Sequence, residues 1–107
     1  MEFPLVSIIV PMYNTAGCIA RCVKSICVQT YKSIEILLLN DGSTDDTLAV
    51  CRALAASDHR IALVDKTNTG AADTRNQGIA LAHTKAVLLV DDDKRQMLKR
   101  HVIRKDH

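Results

Sequence analysis

A chain of 107 residues with 48% apolar side chains suits one domain with a compact core and leaves no room for a second. Aromatics make up 3%, so the core falls to Ile, Leu, Val and Ala; no apolar run approaches the roughly 18–20 residues that cross a bilayer. The net charge of +2 hides an asymmetry: residues 1–93 hold 8 Lys/Arg against 11 Asp/Glu, and residues 94–107 hold 6 against 1.

This asymmetry divides the chain into a domain over 1–93 and a basic tail over 94–107. Without interleaved aromatics the tail reads as a solvated end, and no nucleic-acid partner is expected. The N-terminus has no basic start, long apolar stretch or small-residue cleavage site. A cytoplasmic location is therefore expected, with membrane contact peripheral at most. Cys18 and Cys22 are four apart and can share a helix face. No His or further Cys stands at zinc-ligand spacing, so the four cysteines read as small apolar residues in a reducing compartment.

In chain order, Leu5 to Val10 is a β-branched run closed by Pro11, the signature of a buried strand. Asn14 or Thr15 can cap the helix that follows, with Ile19, Val23 and Ile26 at helical spacing to about Gln29. Residues 34–39 form a second strand, apolar enough for a parallel sheet covered on both faces, and Asn40-Asp41-Gly42-Ser43 breaks it. Ser43 with Asp46 resembles a capping box for a helix that turns Leu48, Cys51 and Leu54 inward and ends near Ser57. Residues 61–64 are a third strand, 67–70 a loop, 71–82 an Ala-rich helix, and 86–90 a fourth strand that runs into Asp91-Asp92-Asp93.

The order βαβαβαβ, with crossovers long enough for helices, predicts an α/β fold with a Rossmann-like, mostly parallel sheet and helices on both faces. Ligands of such sheets bind at the carboxyl ends of the strands. The polar segments 11–14, 40–43 and 91–93 all stand there. Three adjacent carboxylates repel one another unless water or a cation offsets the charge. Hard oxygen ligands suit Mg²⁺ or Mn²⁺ with phosphate oxygens; the bland reading is an acidic turn in solvent. Asp41 can accept a hydrogen bond from a pyrimidine ring N–H, or can serve its Asp-Gly turn. There is no GxGxxG, GxxxxGK[ST] or GxSxG motif. His59 and His83 read as surface residues.

Four segments, in order, resemble the family-2 type of inverting glycosyltransferase. They are Val6-Ser7-Ile8-Ile9-Val10-Pro11-Met12-Tyr13-Asn14; Ser25 through Gln29-Thr30-Tyr31 to Ile34-Glu35-Ile36; Asn40-Asp41-Gly42-Ser43-Thr44-Asp45-Asp46-Thr47; and Asn68-Thr69-Gly70 with Ala72 and Thr74-Arg75-Asn76-Gln77-Gly78. The resemblance implies the nucleotide-binding half of a GT-A fold and a nucleotide-sugar donor, often UDP-linked. It implies that Pro11, Tyr13 and Asn14 underlie the nucleoside, that Asp41 reads uracil, and that Arg75 lies near the diphosphate. It also implies that Asp91 and Asp93 hold Mn²⁺ or Mg²⁺, with Asp92 among the nucleotide-binding residues.

The sequence departs from the family pattern at Asn40 (often Asp), Thr84 (usually Gly, so a turn of different shape is expected) and Lys94 (often acidic). Family members carry a second half with the acceptor site and a carboxylate base. After Asp93 the one acidic residue is Asp106. The expected function is sugar transfer from the donor to a glycan, lipid or protein acceptor, with this chain as the donor half. The alternative is a nucleotide-binding module without transfer. Met97, Leu98, Val102 and Ile103 fall near one helical face, so a short helix can fold back over the last strand. A homodimer covering that strand is the favoured expectation.

Overall fold

The computed structural model describes residues 4–84, 86–92 and 98–104, and gives residues 91, 92 and 98–104 as backbone placement. The elements are β1 (Val6–Met12), α1 (Ile19–Cys27), β2 (Ile34–Asp41), α2 (Thr47–Ser57), β3 (Ile61–Lys66), α3 (Ala71–Leu81), β4 (Ala86–Asp92) and β5 (Leu98–Arg104). They form one five-stranded sheet in the order β3-β2-β1-β4-β5. The first four strands are parallel and β5 is antiparallel to β4. Among the described residues no helix is long and apolar enough to cross a membrane.

Alternation along the strands splits the core in two. Ile8, Val10 and Met12 of β1 and Ile36 and Leu38 of β2 join Ile19, Cys22, Val23 and Ile26 of α1 and Cys51 of α2 on one face. Ile9, Leu37, Leu39, Val87 and Leu89 meet Ala82, with Ile79 of α3 packed against them, on the other. Both faces being covered explains why β1 and β2 read as unbroken apolar runs. No disulfide joins the cysteines. Cys51, fully buried, directs its Sγ at Met12 Sδ, 3.4 Å away.

The strands reach further toward their carboxyl ends than apolar character foretells. Pro11 does not close β1, and Asn40-Asp41 does not break β2. Pro11 pairs with Leu39, Asn40 with Asp65 and Asp41 with Lys66. The β1–β4 pairing spans only Ser7–Ile9, so Pro11 lies past it, where a missing N–H is tolerated as on an edge. Asn40 suits its partner: its Nδ2 donates to Asp65 Oδ1 at 3.1 Å, where an aspartate would set like charges opposite each other.

Two helix starts differ from expectation. The Ser43/Asp46 capping box does not form; Asp46 is the N-cap of α2 and its side chain makes no capping bond. Asp45 takes the role instead, its Oδ1 accepting from Thr47 N (2.9 Å) and Thr47 Oγ1 (2.5 Å). α1 begins at Ile19 after a turn in which Thr15 O accepts from the N–H of Cys18 and of Ile19. Asn14, freed from capping, has φ 52°, a left-handed value that Asn tolerates better than most residues.

The expected tail helix is a strand. Residues 98–104 pair along the whole of β4, from Asp92 opposite Leu98 to Ala86 opposite Arg104. The physical reason is the row of unmet N–H and C=O groups on β4, which a strand satisfies and a helix does not. This pairing also removes the open β4 edge on which the expectation of a dimer rested. Met97 lies outside the described residues. At Thr84 the hydroxyl donates to Ala86 O at 2.8 Å and lies 2.9 Å from Ser7 Oγ.

Below this turn, at the amino end of the sheet, Glu35 accepts from the Ser7 hydroxyl, from His83 N (2.8 Å) and lies 2.7 Å from His83 Nδ1. Burial raises its pKa, but the Ser7 and His83 hydrogen bonds outweigh that, and it sits below the ordinary glutamate value.

Candidate nucleotide site

The carboxyl ends of β1, β2 and β3 and their following loops interlock into one surface. Asn14 is the joint between the first two. Its backbone N donates to Ser43 Oγ (2.9 Å), and its Oδ1 accepts from Thr44 N (2.8 Å), Thr44 Oγ1 (3.3 Å) and Asp45 N (3.3 Å). Thr15 N donates to the fully buried Thr47 Oγ1 at 2.8 Å, which ties the start of one loop to the start of the next helix. The second and third loops touch at Gly42. Its φ is 67°, and a Cβ there would lie 2.7 Å from Asn68 N. Only glycine meets both demands at low cost.

Asp41 is the electrostatic centre of this surface. It is 4% exposed and ends β2 opposite Lys66, the last residue of β3. Its Oδ1 accepts from Lys66 Nζ (2.7 Å) and Thr69 N (2.8 Å); its Oδ2 accepts from Gly70 N (3.2 Å). Burial raises the pKa, but the hydrogen bonds from the Lys66 ammonium and the Thr69 N–H hold it below the ordinary aspartate value. The stability it contributes is therefore present above the unfolded aspartate pKa and is lost as pH falls through the lowered folded value. Asp41 is a permanent anion at neutral pH, set at a strand end with donors already aimed at it.

Lys66 was not singled out by its sequence, because the apolar run of β3 stops at Val64. Keeping the strand parity for two more residues places Lys66 on the same face as Val64. Its ammonium also bonds Thr67 O (2.8 Å), Thr69 Oγ1 (2.6 Å) and Thr74 Oγ1 (3.1 Å). Ser43 was likewise legible only as a turn and capping residue, and Asp45 and Thr47 only as members of the 40–47 segment.

The other expected site residues fall as follows. Pro11 is partly buried at the end of β1, and Tyr13 is 48% exposed beside it. Arg75 is partly buried on α3, the helix that starts from the Thr69-Gly70 loop, and has no salt-bridge partner among the described residues. Asp91 and Asp92 close β4, adjacent to β1 in the sheet. Asp93 and Lys94 lie outside the described residues. The structure thus joins Asp41 directly to Lys66, Thr69 and Gly70, ties Asn14 to residues 43–45 of the loop that follows Asp41, and sets the end of β4 on the same edge of the fold.

The model of the glycosyl transferase family 2 matches residues 7–95. Among curated proteins, glycosyltransferase GlyG of Streptococcus pneumoniae is 41% identical over 90 residues, covering 83% of this chain and 30% of that protein. Chondroitin synthase of Pasteurella multocida is 40% identical over 92 residues, 86% of this chain and 10% of that protein. Among solved structures, a mannosyltransferase from Pyrobaculum calidifontis in complex with GDP-Man and Mn²⁺ superposes with a TM-score of 0.75 at 30% identity, covering 80% of this chain and 26% of that one. S. aureus TarS in complex with UDP gives 0.75 at 29% identity, over 84% of this chain and 28% of that one. The chain therefore spans less than a third of the length of these relatives. A parallel sheet with its polar loops at one end, solved GT-A neighbours and a family model matched over most of the sequence lead to one assignment: this chain belongs to glycosyl transferase family 2.

Proposed function

We propose that this chain is the donor-nucleotide end of an inverting glycosyltransferase, and that its donor is a UDP-linked sugar. The observation that carries the reading is Asp41: a buried, ionised carboxylate at the carboxyl end of β2, in an α/β sheet whose ligands bind at that end. An anion there is an acceptor for a base N–H. Tyr13, exposed on the neighbouring loop, offers a ring face to the nucleoside, and Arg75 supplies a cation for the diphosphate. The acceptor, a glycan, lipid or protein, would be met by parts of a whole enzyme beyond the residues aligned here.

Asp41→Asn keeps the shape and removes the charge. A hydrogen bond to a charged group contributes about 1.5–3 kcal/mol, so calorimetry on the folded variant should show UDP affinity reduced by about ten-fold or more. An unchanged affinity would sink the base-reading role.

Asp91 and Asp93 would hold the divalent cation. Carboxylate oxygens at a strand end are the donor set that Mg²⁺ or Mn²⁺ prefers. When bound, the ion supplies positive charge for the diphosphate leaving group. The related mannosyltransferase was solved with Mn²⁺, which supports the reading. UDP affinity of the wild-type chain is expected to rise with Mn²⁺ and fall with chelator, and Asp93→Ala should erase the difference. Equal affinity with and without the ion in the wild type would show the triplet to be an acidic turn.

A further inference from the structure

A carboxylate has two oxygens with about four acceptor positions between them. On Asp41 three are taken within the protein. Oδ1 is filled by Lys66 Nζ at 2.7 Å and Thr69 N at 2.8 Å, and Oδ2 has Gly70 N at 3.2 Å. The Thr74 hydroxyl gives its proton to Gly70 O at 2.8 Å. The pair is well enclosed, the Lys66 and Asp41 side chains being 9% and 6% exposed. Lys66 is also fixed from behind, through Thr67 O, Thr69 Oγ1 and Thr74 Oγ1, so it cannot swing away to release Oδ1 without breaking those bonds too.

We infer that Lys66 is a specificity-determining residue: by filling Oδ1 together with Thr69 N, it leaves Asp41 one acceptor position, and so selects a nucleobase presenting a single ring N–H over one presenting two adjacent donors. Uracil presents one N–H beside two carbonyls. Guanine presents a ring N–H and an amino N–H side by side, an edge that matches both oxygens of an open carboxylate. Here the second donor meets an oxygen already saturated, loses its water and gains nothing, which is a cost for any buried polar group. The inference rests on the donor-nucleotide reading above and adds to it the physical origin of base choice.

Hypoxanthine isolates the effect, because IDP differs from GDP only by lacking the amino group. With Mn²⁺ held constant, calorimetry on the wild-type chain should rank UDP above GDP and give IDP an affinity equal to or greater than that of GDP. Lys66→Met empties one position on Oδ1, and should then bind GDP about ten-fold more tightly than IDP, as one added charge-assisted bond implies. Lys66→Gln, a neutral donor of similar reach, should keep the wild-type order.

Wild-type protein that prefers GDP to IDP overturns the inference, and that measurement needs no variant to fold. So does a folded Lys66→Met protein with the wild-type order. In either case a UDP affinity that still drops in Asp41→Asn leaves the base-reading role standing. A UDP affinity indifferent to Asp41→Asn removes both.

Discussion

Gly78→Val should lower the melting temperature by at least about 12 °C, taking roughly 3 kcal/mol or more of core strain at about 4–8 °C per kcal/mol for a domain near this size. Gly78 sits inside α3, where any residue other than proline would be the better helix former. It is there because α3 lies close against the sheet. A Cβ at this position would stand 2.5 Å from Ile9 Cγ2 and 3.1 Å from Leu39 Cδ1. Ile9 and Leu39 are fully buried in β1 and β2, and Cγ2 is attached directly to the Ile9 Cβ, so Ile9 has little room to yield. Valine adds two more carbons to the same space. Alanine should cost less, since its helix propensity returns about 1 kcal/mol relative to glycine. A valine variant that melts with the wild type would mean that α3 can ride away from the sheet.

Gly42→Ala is expected to cost about 2–4 kcal/mol, the sum of about 1–2 kcal/mol for a left-handed non-glycine residue and about 1–3 kcal/mol for overpacking. The new methyl would lie 2.7 Å from Asn68 N and 2.8 Å from Asn68 Cβ, and backbone does not move aside cheaply. Urea denaturation should register a midpoint shift of about 1 M or more, given slopes of roughly 1–3 kcal/mol/M. The displaced loop carries the Thr69 and Gly70 N–H groups away from Asp41. UDP affinity should therefore fall in the same variant, measured where it is still folded. A destabilised variant with full UDP affinity would show that the two loops are not one unit.

Much of this architecture was legible. The Ile-, Leu- and Val-rich runs at 5–10, 34–39, 61–64 and 86–90 located the four parallel strands, and the helical crossovers between them required a parallel sheet. The expectation of a site at the carboxyl ends rested on topology, before any residue was given a role. What escaped was the polar end of each strand. Asn40, Asp41, Asp65 and Lys66 continue the ladder through backbone bonds that do not depend on side-chain polarity. The start of α2 was misplaced because Asp45 and Asn14 satisfy its loop from a direction that local sequence does not reveal. In the tail, Val102-Ile103 is β-branched, yet no alternation marks a strand over 98–104. Pairing with β4 is a tertiary demand that overrides the local pattern. Lys66 was missed for a similar reason: its importance lies in its partner across the sheet.

The place of β1 in the sheet bears on how the chain is made. It is the first of the five strands to be synthesised and the middle one in space. Ser7 lies beside Glu35 on one side and beside Val87 on the other. As the polypeptide leaves the ribosome from its N-terminal end, one flank of β1 is filled after a single crossover, while the other stays open through α2, β3 and α3. Throughout that interval β1 is paired on one flank only, and closure of the sheet waits on contacts between distant parts of the chain. Such long-range contacts slow folding.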